Sequence, residues 1–178
     1  PEVEVIYIAS LNQNHKEMTL ATLLAGKGVL CEKPLGLNPE EIKLMVATAQ
    51  KENCFLMEGL WSRFNPAIQK AKQWIDEGRI GIPRSLYAEF SFYRLNIDNE
   101  HRLMDPKKGG GVLLDIGVYP LFLAHLILGD PKNIEAQSLL ANTGVDIQTS
   151  IMLQYDNAQA LLYCGIANQS DNNAKIGG

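Results

Sequence analysis

The first third of the chain alternates short apolar runs with helical patterns, and this order constrains the fold more than any other feature. The apolar, β-rich runs cover residues 3–9, 28–31 and 54–57. Between them, residues 15–27 and 38–51 repeat apolar positions at the spacing of an amphipathic helix. A β-α-β-α-β order with nearly continuous apolar strands predicts a parallel sheet that is covered on both faces.

Three residues mark the start of the second of these helices. Asn38 is a typical N-cap, and Pro39 fits the first helical position. Glu41 completes a pattern like a capping box, in which two side chains bind the open backbone N–H groups of the first turn. The helix is therefore expected to begin at Pro39.

The pattern changes within residues 58–64, where we place a boundary between a first domain (1–62) and a second (63–178). The second domain is expected to contain a helix, an alternating strand, a polar loop, an apolar helix opened by glycines, and three further strands, the last two joined by a hairpin turn. These segments cover residues 65–78, 86–93, 94–108, 109–129, 134–140, 146–155 and 158–167. This order predicts an α+β domain with a large, mostly antiparallel open sheet.

Composition and charge exclude several classes of function. The chain of 178 residues is 46% hydrophobic and 20% charged, with a net charge of −4 and no cluster of Lys and Arg, which argues against a nucleic-acid or anionic membrane surface. No apolar run approaches the roughly 20 residues that span a bilayer. The three cysteines lack metal-type spacing and are read as free thiols in a reducing, cytoplasmic compartment.

Polar and aromatic residues follow each strand of the first domain. The three loops read SLNQNH (10–15), EKP (32–34) and EGLWSRF (58–64). Because the carboxyl ends of parallel strands meet at one edge of a sheet, where such folds bind ligands, these loops predict a site. Lys33 has the position that a catalytic or cofactor-orienting lysine needs, although an ordinary solvated Lys–Glu pair with Glu32 stays open from the tripeptide alone.

The segment GGGVLLDIGVY (109–119) is the second candidate. Asp115 and Tyr119 are four residues apart, so they share a face if one helix runs through both, and Pro120 is expected to end or kink that helix. A tyrosine next to a lysine can donate and accept a proton, while a core tyrosine with a satisfied hydroxyl stays open. His125 is read as structural, and no residue pair has zinc or iron spacing, so no metal is expected.

Three motifs in order carry a resemblance that covers essentially the whole chain. GKGVLCEKPLGLNPEE (26–41) together with GGGVLLDIGVYP resembles the Gfo/Idh/MocA oxidoreductase family, and FLMEGLWSRFNPA (55–67) narrows this to its dihydrodiol and xylose dehydrogenase branch. The resemblance implies a Rossmann-like first domain, NADP or NAD as cofactor, and hydride transfer to or from a secondary alcohol, sugar or dihydrodiol.

The resemblance also implies roles for individual residues. Lys33 and Tyr119 match the residues that handle the proton, and Asp115 matches a carboxylate on the substrate side. Positions that line the cofactor are matched in the strand-exit loops by Ser10, Asn12, His15, Glu32, Lys33, Pro34, Trp61 and Arg63.

One departure from the family pattern is large. The glycine-rich turn that holds the pyrophosphate belongs to the first half of a Rossmann sheet, and this chain supplies only the last three strands. Its C-terminal residues, SDNNAKIGG, read as a polar loop with no closing element. We therefore expect a piece truncated at both ends, inactive by itself, from a protein about twice as long.

Two other functions stay open beside the dehydrogenase. The chain could belong to a non-catalytic sensor or assembly protein, or to a family dehydrogenase for an inositol or amino sugar. The alternating face that carries Tyr87, Ser91 and Tyr93 could pack against a partner. We expect a homo-oligomer, a dimer or a tetramer, that assembles through the antiparallel sheet, with no nucleic-acid or membrane partner.

Overall fold

The structure is a computed structural model, and it describes residues 2–178. The chain divides into two compact units. The first runs to Leu60 and also includes Lys107–Gly109, and the second comprises Trp61–Pro106 and Gly110–Gly178.

The first unit is a three-stranded parallel sheet with two helices. Its strands lie in the order β1-β2-β3 with in-line parallel register, so their carboxyl ends share one edge. The elements in chain order are β1 (Val5–Ile8), α1 (His15–Leu24), β2 (Gly28–Cys31), α2 (Pro39–Lys51) and β3 (Leu56–Glu58). The predicted β-α-β-α-β order is confirmed.

The core of the first unit lies on one face of this sheet only. Ile8, Val29 and Cys31 pack there with Leu23 of α1 and Met45 of α2. On β1 the side chains of Val5 and Tyr7 point to the opposite face and are exposed, and Ile6, on the same face as Ile8, is also exposed. The expectation of a sheet covered on both faces is therefore wrong for the described residues.

Helix α2 begins as its sequence predicts. The side chain of Asn38 accepts a hydrogen bond from the Glu41 backbone N–H at 2.9 Å, and Pro39 is the first helical residue. The Glu41 carboxylate accepts the Leu37 N–H at 3.0 Å, one residue before the position that a standard capping box uses.

The second unit contains a five-stranded mixed sheet and two α-helices. Its strands lie in the order β5-β6-β7-β4-β8, and of these four pairings only β4–β7 is parallel. The elements are α3 (Pro66–Asp76), β4 (Ser85–Ser91), a π-helix (Leu113–Gly117), α4 (Val118–Leu128), β5 (Asn133–Leu140), β6 (Asp146–Gln154), β7 (Gln159–Gly165) and β8 (Ala174–Gly177). The mostly antiparallel sheet is confirmed.

Strand β8 corrects the expectation that the C-terminal residues have no closing element. Its four residues pair antiparallel with β4, from Ala88 opposite Ala174 to Ser85 opposite Gly177. The polar residues 168–173 hid this strand because the four residues that pair offer one large apolar side chain, Ile176.

Helix α4 covers one face of the mixed sheet. Ala124 is fully buried against a cluster that includes Leu86 of β4, Ile151 of β6 and Leu162 of β7. A neighbouring cluster contains Cys164, and burial raises the pKa of its thiol to about 12. All three cysteines are free thiols, of which Cys54 is half-buried.

The helical stretch that ends in α4 is longer than its sequence suggested. The segment Pro106–Leu128 has 23 residues and comprises a short 3₁₀ turn at Pro106–Lys108, the π-helix and α4. The mean hydropathy is 1.9 over its most apolar 18 residues, enough by length and composition alone to cross a membrane. The expectation that no run reaches that length is therefore wrong. In this chain α4 packs on β4 and β7, which accounts for its apolar composition. His125, which is expected to be structural, is exposed, and its Nδ1 lies 3.2 Å from Asp130 Oδ1.

Candidate active site

The loops that follow β1 and β2 lie at the carboxyl edge of the parallel sheet, as predicted, while the third loop, 58–64, passes into the second unit at Trp61. Lys33 follows β2 at this edge and is half-buried, and its bond to Pro34 is cis. The Glu32 carboxylate accepts the Tyr7 hydroxyl at 2.5 Å and the Lys33 backbone N–H at 3.3 Å. The hydrogen bond to Glu32 raises the pKa of Tyr7. Tyr7 and Glu32 thus fix the start of the loop that carries Lys33.

The other end of the EKP loop is fixed by β3. The Glu58 carboxylate accepts the Leu35 backbone N–H at 2.7 Å. Leu35 itself belongs to the core of the unit. Lys33 therefore lies on a loop that is tied to the sheet on both sides.

His15 connects this loop to the one that follows β1. Its ring is fully buried, with Nδ1 2.8 Å from the Pro34 carbonyl oxygen and Nε2 3.2 Å from that of Ser10. The Ser10 hydroxyl donates to the Leu11 carbonyl, and the Asn12 amide donates to the Gly109 carbonyl at 3.3 Å. The structure thus brings Ser10, His15 and Pro34 together at one edge.

A π-helix carries the second group of candidate residues. Asp115 lies within it at Leu113–Gly117, and Tyr119 lies in the first turn of α4. The helix runs through Gly117, the condition under which the two residues are expected to share a face, and residues four apart also lie on one side of a π turn. Pro120 does not end the helix, since α4 continues to Leu128.

Asp146 of β6 holds the start of this π-helix. One carboxylate oxygen, Oδ2, accepts the Leu113 backbone N–H at 2.9 Å and the Thr149 hydroxyl at 2.7 Å. Gly111 has a φ of +105°, and a Cβ added there would overlap the other oxygen of Asp146. The glycines of this segment allow close backbone packing. A Cβ added at Gly110 would lie within 2.9 Å of three backbone carbonyl oxygens.

Asp115 forms an ion pair with the polar loop that precedes it. Its side chain is buried, and Arg102 Nη1 lies 3.0 Å from Oδ1. The adjacent Leu103 and Met104 are buried, so this part of the loop 94–108 is anchored to the core. Arg102 therefore both neutralises the carboxylate and fixes the loop.

Tyr119 lies in a group of aromatic side chains. The Phe90 ring meets it edge-to-face with centroids 5.4 Å apart, and the Trp61 ring lies at 6.2 Å. The Trp61 indole N–H donates a hydrogen bond to the Tyr119 hydroxyl oxygen at 3.3 Å. Arg63, two residues after Trp61, is exposed and lines a groove with α3 and Leu126. Trp61 contacts the candidate proton-handling residue, and Arg63 lies with α3.

Sequence reasoning missed several residues that support these groups. Tyr7 and Glu58 hold the EKP loop, Arg102 pairs with Asp115, and Asp146 caps the π-helix. Of these residues, only Tyr7 could have been suspected from the sequence. It lies in an apolar strand next to β2, and from there its side chain can reach Glu32, which follows β2. Among residues 2–178, no group of three or more His, Cys, Asp or Glu side chains is arranged to hold a metal.

Comparisons with known proteins match both units. A family model described as the GFO/IDH/MocA C-terminal domain matches residues 68–178. A second model, described as an oxidoreductase family with an NAD-binding Rossmann fold, matches residues 1–60.

Among curated relatives, the trans-1,2-dihydrobenzene-1,2-diol dehydrogenase of Mus musculus is 40% identical over 181 residues, which cover 100% of this chain and 54% of the relative. An aldose-aldose oxidoreductase from Caulobacter crescentus, solved with glycerol, is 26% identical with a TM-score of 0.93 over 100% of this chain and 55% of its own. A 3-ketoreductase from Actinomadura kijaniata, solved with NADP and TDP-benzene, is 30% identical with a TM-score of 0.87 over 99% and 55%. The chain spans about half the length of these proteins.

Proposed function

Because the chain belongs to the Gfo/Idh/MocA oxidoreductase family, we propose that its residues take part in the reversible oxidation of a secondary alcohol with NAD(P). The observation that carries this proposal is the Tyr119 hydroxyl. It lies at the start of α4 beside the buried Asp115 segment, and its ring packs against Phe90. A phenol held in this way can exchange a proton with a substrate hydroxyl.

The reaction removes a hydride from the substrate carbon and a proton from its oxygen, which leaves a carbonyl. In this proposal the proton goes to Tyr119 Oη, and it returns from there in the reverse direction. The ammonium group of Lys33 stabilises the negative charge that develops on the substrate oxygen. Asp115 holds Arg102, and with it the polar loop, on the substrate side.

The residues at the sheet edge fit the nicotinamide end of the cofactor. The Glu32 and Glu58 carboxylates both accept hydrogen bonds from the protein, which offsets their negative charge, while Lys33 adds a cation. These groups suit the hydroxyls and the carboxamide at the nicotinamide end of the cofactor. Ser10, Asn12, His15, Glu32, Lys33 and Pro34 would line it, and when bound the nicotinamide supplies the hydride acceptor or donor.

We propose that the substrate is a sugar, a polyol or a dihydrodiol. The relatives from Mus musculus and Caulobacter crescentus support this class by their names, a dihydrodiol dehydrogenase and an aldose oxidoreductase. The aromatic side chains around Tyr119 support it further, because flat apolar faces pack against sugar and cyclohexadiene rings.

The proposal is tested with the full-length protein by absorbance at 340 nm, with NADP or NAD and a panel of aldoses and trans-dihydrodiols. We expect substrate-dependent reduction of one cofactor. Cofactor binding without turnover of any member of the panel, in either direction, would instead support a sensor or assembly role.

We also propose that the open face of the mixed sheet joins two copies of the chain. On this face Tyr87, Leu161 and Met152 form one row across β4, β7 and β6, and Tyr87 and Leu161 are about half exposed. Exposed apolar rows of this kind mark interaction sites.

We also propose that the protein is located in a reducing, cytoplasmic compartment, which its free thiols support.

Sedimentation velocity of the full-length protein tests this surface. Leu161→Lys places a charge in the centre of the row and is expected to shift the protein toward the monomer. Leu44→Lys on α2, at a side chain of similar exposure in the first unit, is the control and should leave assembly unchanged. An oligomer that tolerates Leu161→Lys would place the interface elsewhere.

A further inference from the structure

The hydrogen bond between Trp61 and Tyr119 joins residues that are 58 positions apart in the chain. It rests on side chains that are themselves held in place. The Tyr119 ring packs edge-to-face on Phe90 and contacts a core cluster that contains Ile116 and Cys164. With the ring fixed, the direction of the O–H bond is set by the groups that contact the hydroxyl oxygen.

The position of Trp61 is also defined by its neighbours. It is the first residue of a 3₁₀ turn, Trp61–Phe64, in which Ser62 is buried. Asn65 then caps α3 by accepting the Ala67 N–H at 2.9 Å. Trp61 is more than half exposed, and the backbone that follows it is held by the buried Ser62 and by the cap of α3.

The chemistry of the two groups fixes the direction of the bond. An indole N–H can donate a hydrogen bond but cannot accept one. Tyr119 Oη must therefore be the acceptor, and the phenol proton must point away from Trp61. When the tyrosine has lost its proton, the same N–H still has an acceptor, so one contact suits both forms of Tyr119.

We propose that Trp61 is a positioning residue, which aims the phenol proton of Tyr119 away from the indole and toward the substrate hydroxyl. This inference rests on the proposed function, because it needs Tyr119 to exchange a proton. It gives Trp61 a different role from the cofactor contact that its motif implied. Trp61 acts through Tyr119 and touches neither the leaving hydride nor the proton in transfer.

Kinetics of the full-length protein test the role directly. Trp61→Phe keeps an aromatic ring and removes the N–H, and it is expected to lower kcat by roughly 3- to 10-fold, the effect of one neutral hydrogen bond, with KM within about twofold. Trp74→Phe is the matched control, since it makes the same change on α3, where Trp74 contacts Lys70 and Arg79. That variant should match the wild type.

A double variant separates positioning from a packing role. If Trp61 acts only through the Tyr119 hydroxyl, Trp61→Phe has no further effect on the residual rate of Tyr119→Phe. A second loss of similar size in the double variant would overturn the proposal, and so would an effect confined to KM. If the wild type is active and Trp61→Phe has the same activity, the role of Trp61 is refuted and the proposed function stands. If the wild type is inactive, both the proposed function and the role of Trp61 are refuted.

Nitrogen-15 NMR of the indole groups provides a readout that needs no activity and no Trp61 variant that folds. The chain has two tryptophans. The Trp61 indole N–H resonance is expected to move in Tyr119→Phe, because it loses its acceptor, while that of Trp74 stays in place. A Trp61 resonance that does not respond to removal of the Tyr119 hydroxyl would show that the bond is absent in solution.

Discussion

Replacing Tyr119 by Phe in the full-length protein is expected to lower turnover at least ~10²-fold, with the affinity for NAD(P) largely kept. The change removes one oxygen and leaves the ring that packs on Phe90 at 5.4 Å, so the aromatic group and α4 should stay in place. The loss follows because no other group then takes the substrate proton. Steady-state kinetics in both directions, together with cofactor titration by fluorescence, measure the two quantities separately.

Lys33→Met is the companion to this variant and is expected to reduce turnover to a similar extent, because the substrate oxygen loses a stabilising cation. Lys43→Met, on the exposed side of α2, is its control and should keep full activity. Near-normal turnover in both Tyr119→Phe and Lys33→Met would refute the assignment of proton handling to this pair. If only one variant is impaired, that residue alone carries the role.

Gly111→Ala is expected to destabilise the second unit through both backbone strain and crowding. Gly111 has a φ of +105°, which costs an L-residue about 1–2 kcal/mol. Its new methyl group would overlap Asp146 Oδ1, and crowding of this kind in a packed region costs about 1–3 kcal/mol more. The free energy of unfolding should fall by about 2–5 kcal/mol in total, as measured by chemical denaturation.

The matched control for this variant is Gly144→Ala. Gly144 has a φ of +90°, but a Cβ at that position would meet no atom within 4 Å. It should therefore show the backbone cost alone, about 1–2 kcal/mol. Equal losses in the two variants would mean that Asp146 moves aside freely, and that its contact with the start of the π-helix is weak.

Short-range sequence patterns predicted the first unit well. They failed where the structure depends on how distant elements are arranged. Asn38, Pro39 and Glu41 determine where α2 begins, since an N-cap depends on neighbours within four residues. The strands of the parallel sheet followed from short apolar runs. Which faces are covered depends on the strand order: in the order β1-β2-β3, two right-handed crossovers place α1 and α2 on the same side, and the apolar runs alone do not give that order.

The same difference between short-range and long-range features applies to the candidate site. Sequence alone marked Lys33, Asp115 and Tyr119, because unusual residue types occur next to glycines, prolines and strand ends. The residues that hold them come from distant parts of the chain, such as Trp61 for Tyr119 and Arg102 for Asp115. A pairing over 58 positions leaves no periodic signal, so it could not be predicted from one sequence.

The π-helix at Leu113–Gly117 couples the length of one turn to two contacts on either side of it. A π turn holds one residue more than an α turn. Deleting a single residue here would convert it to an α turn and change the separation of Asp115 from Tyr119. The ion pair of Asp115 with Arg102 and the hydrogen bond of Tyr119 with Trp61 are therefore expected to be disturbed together by a change of length in this turn.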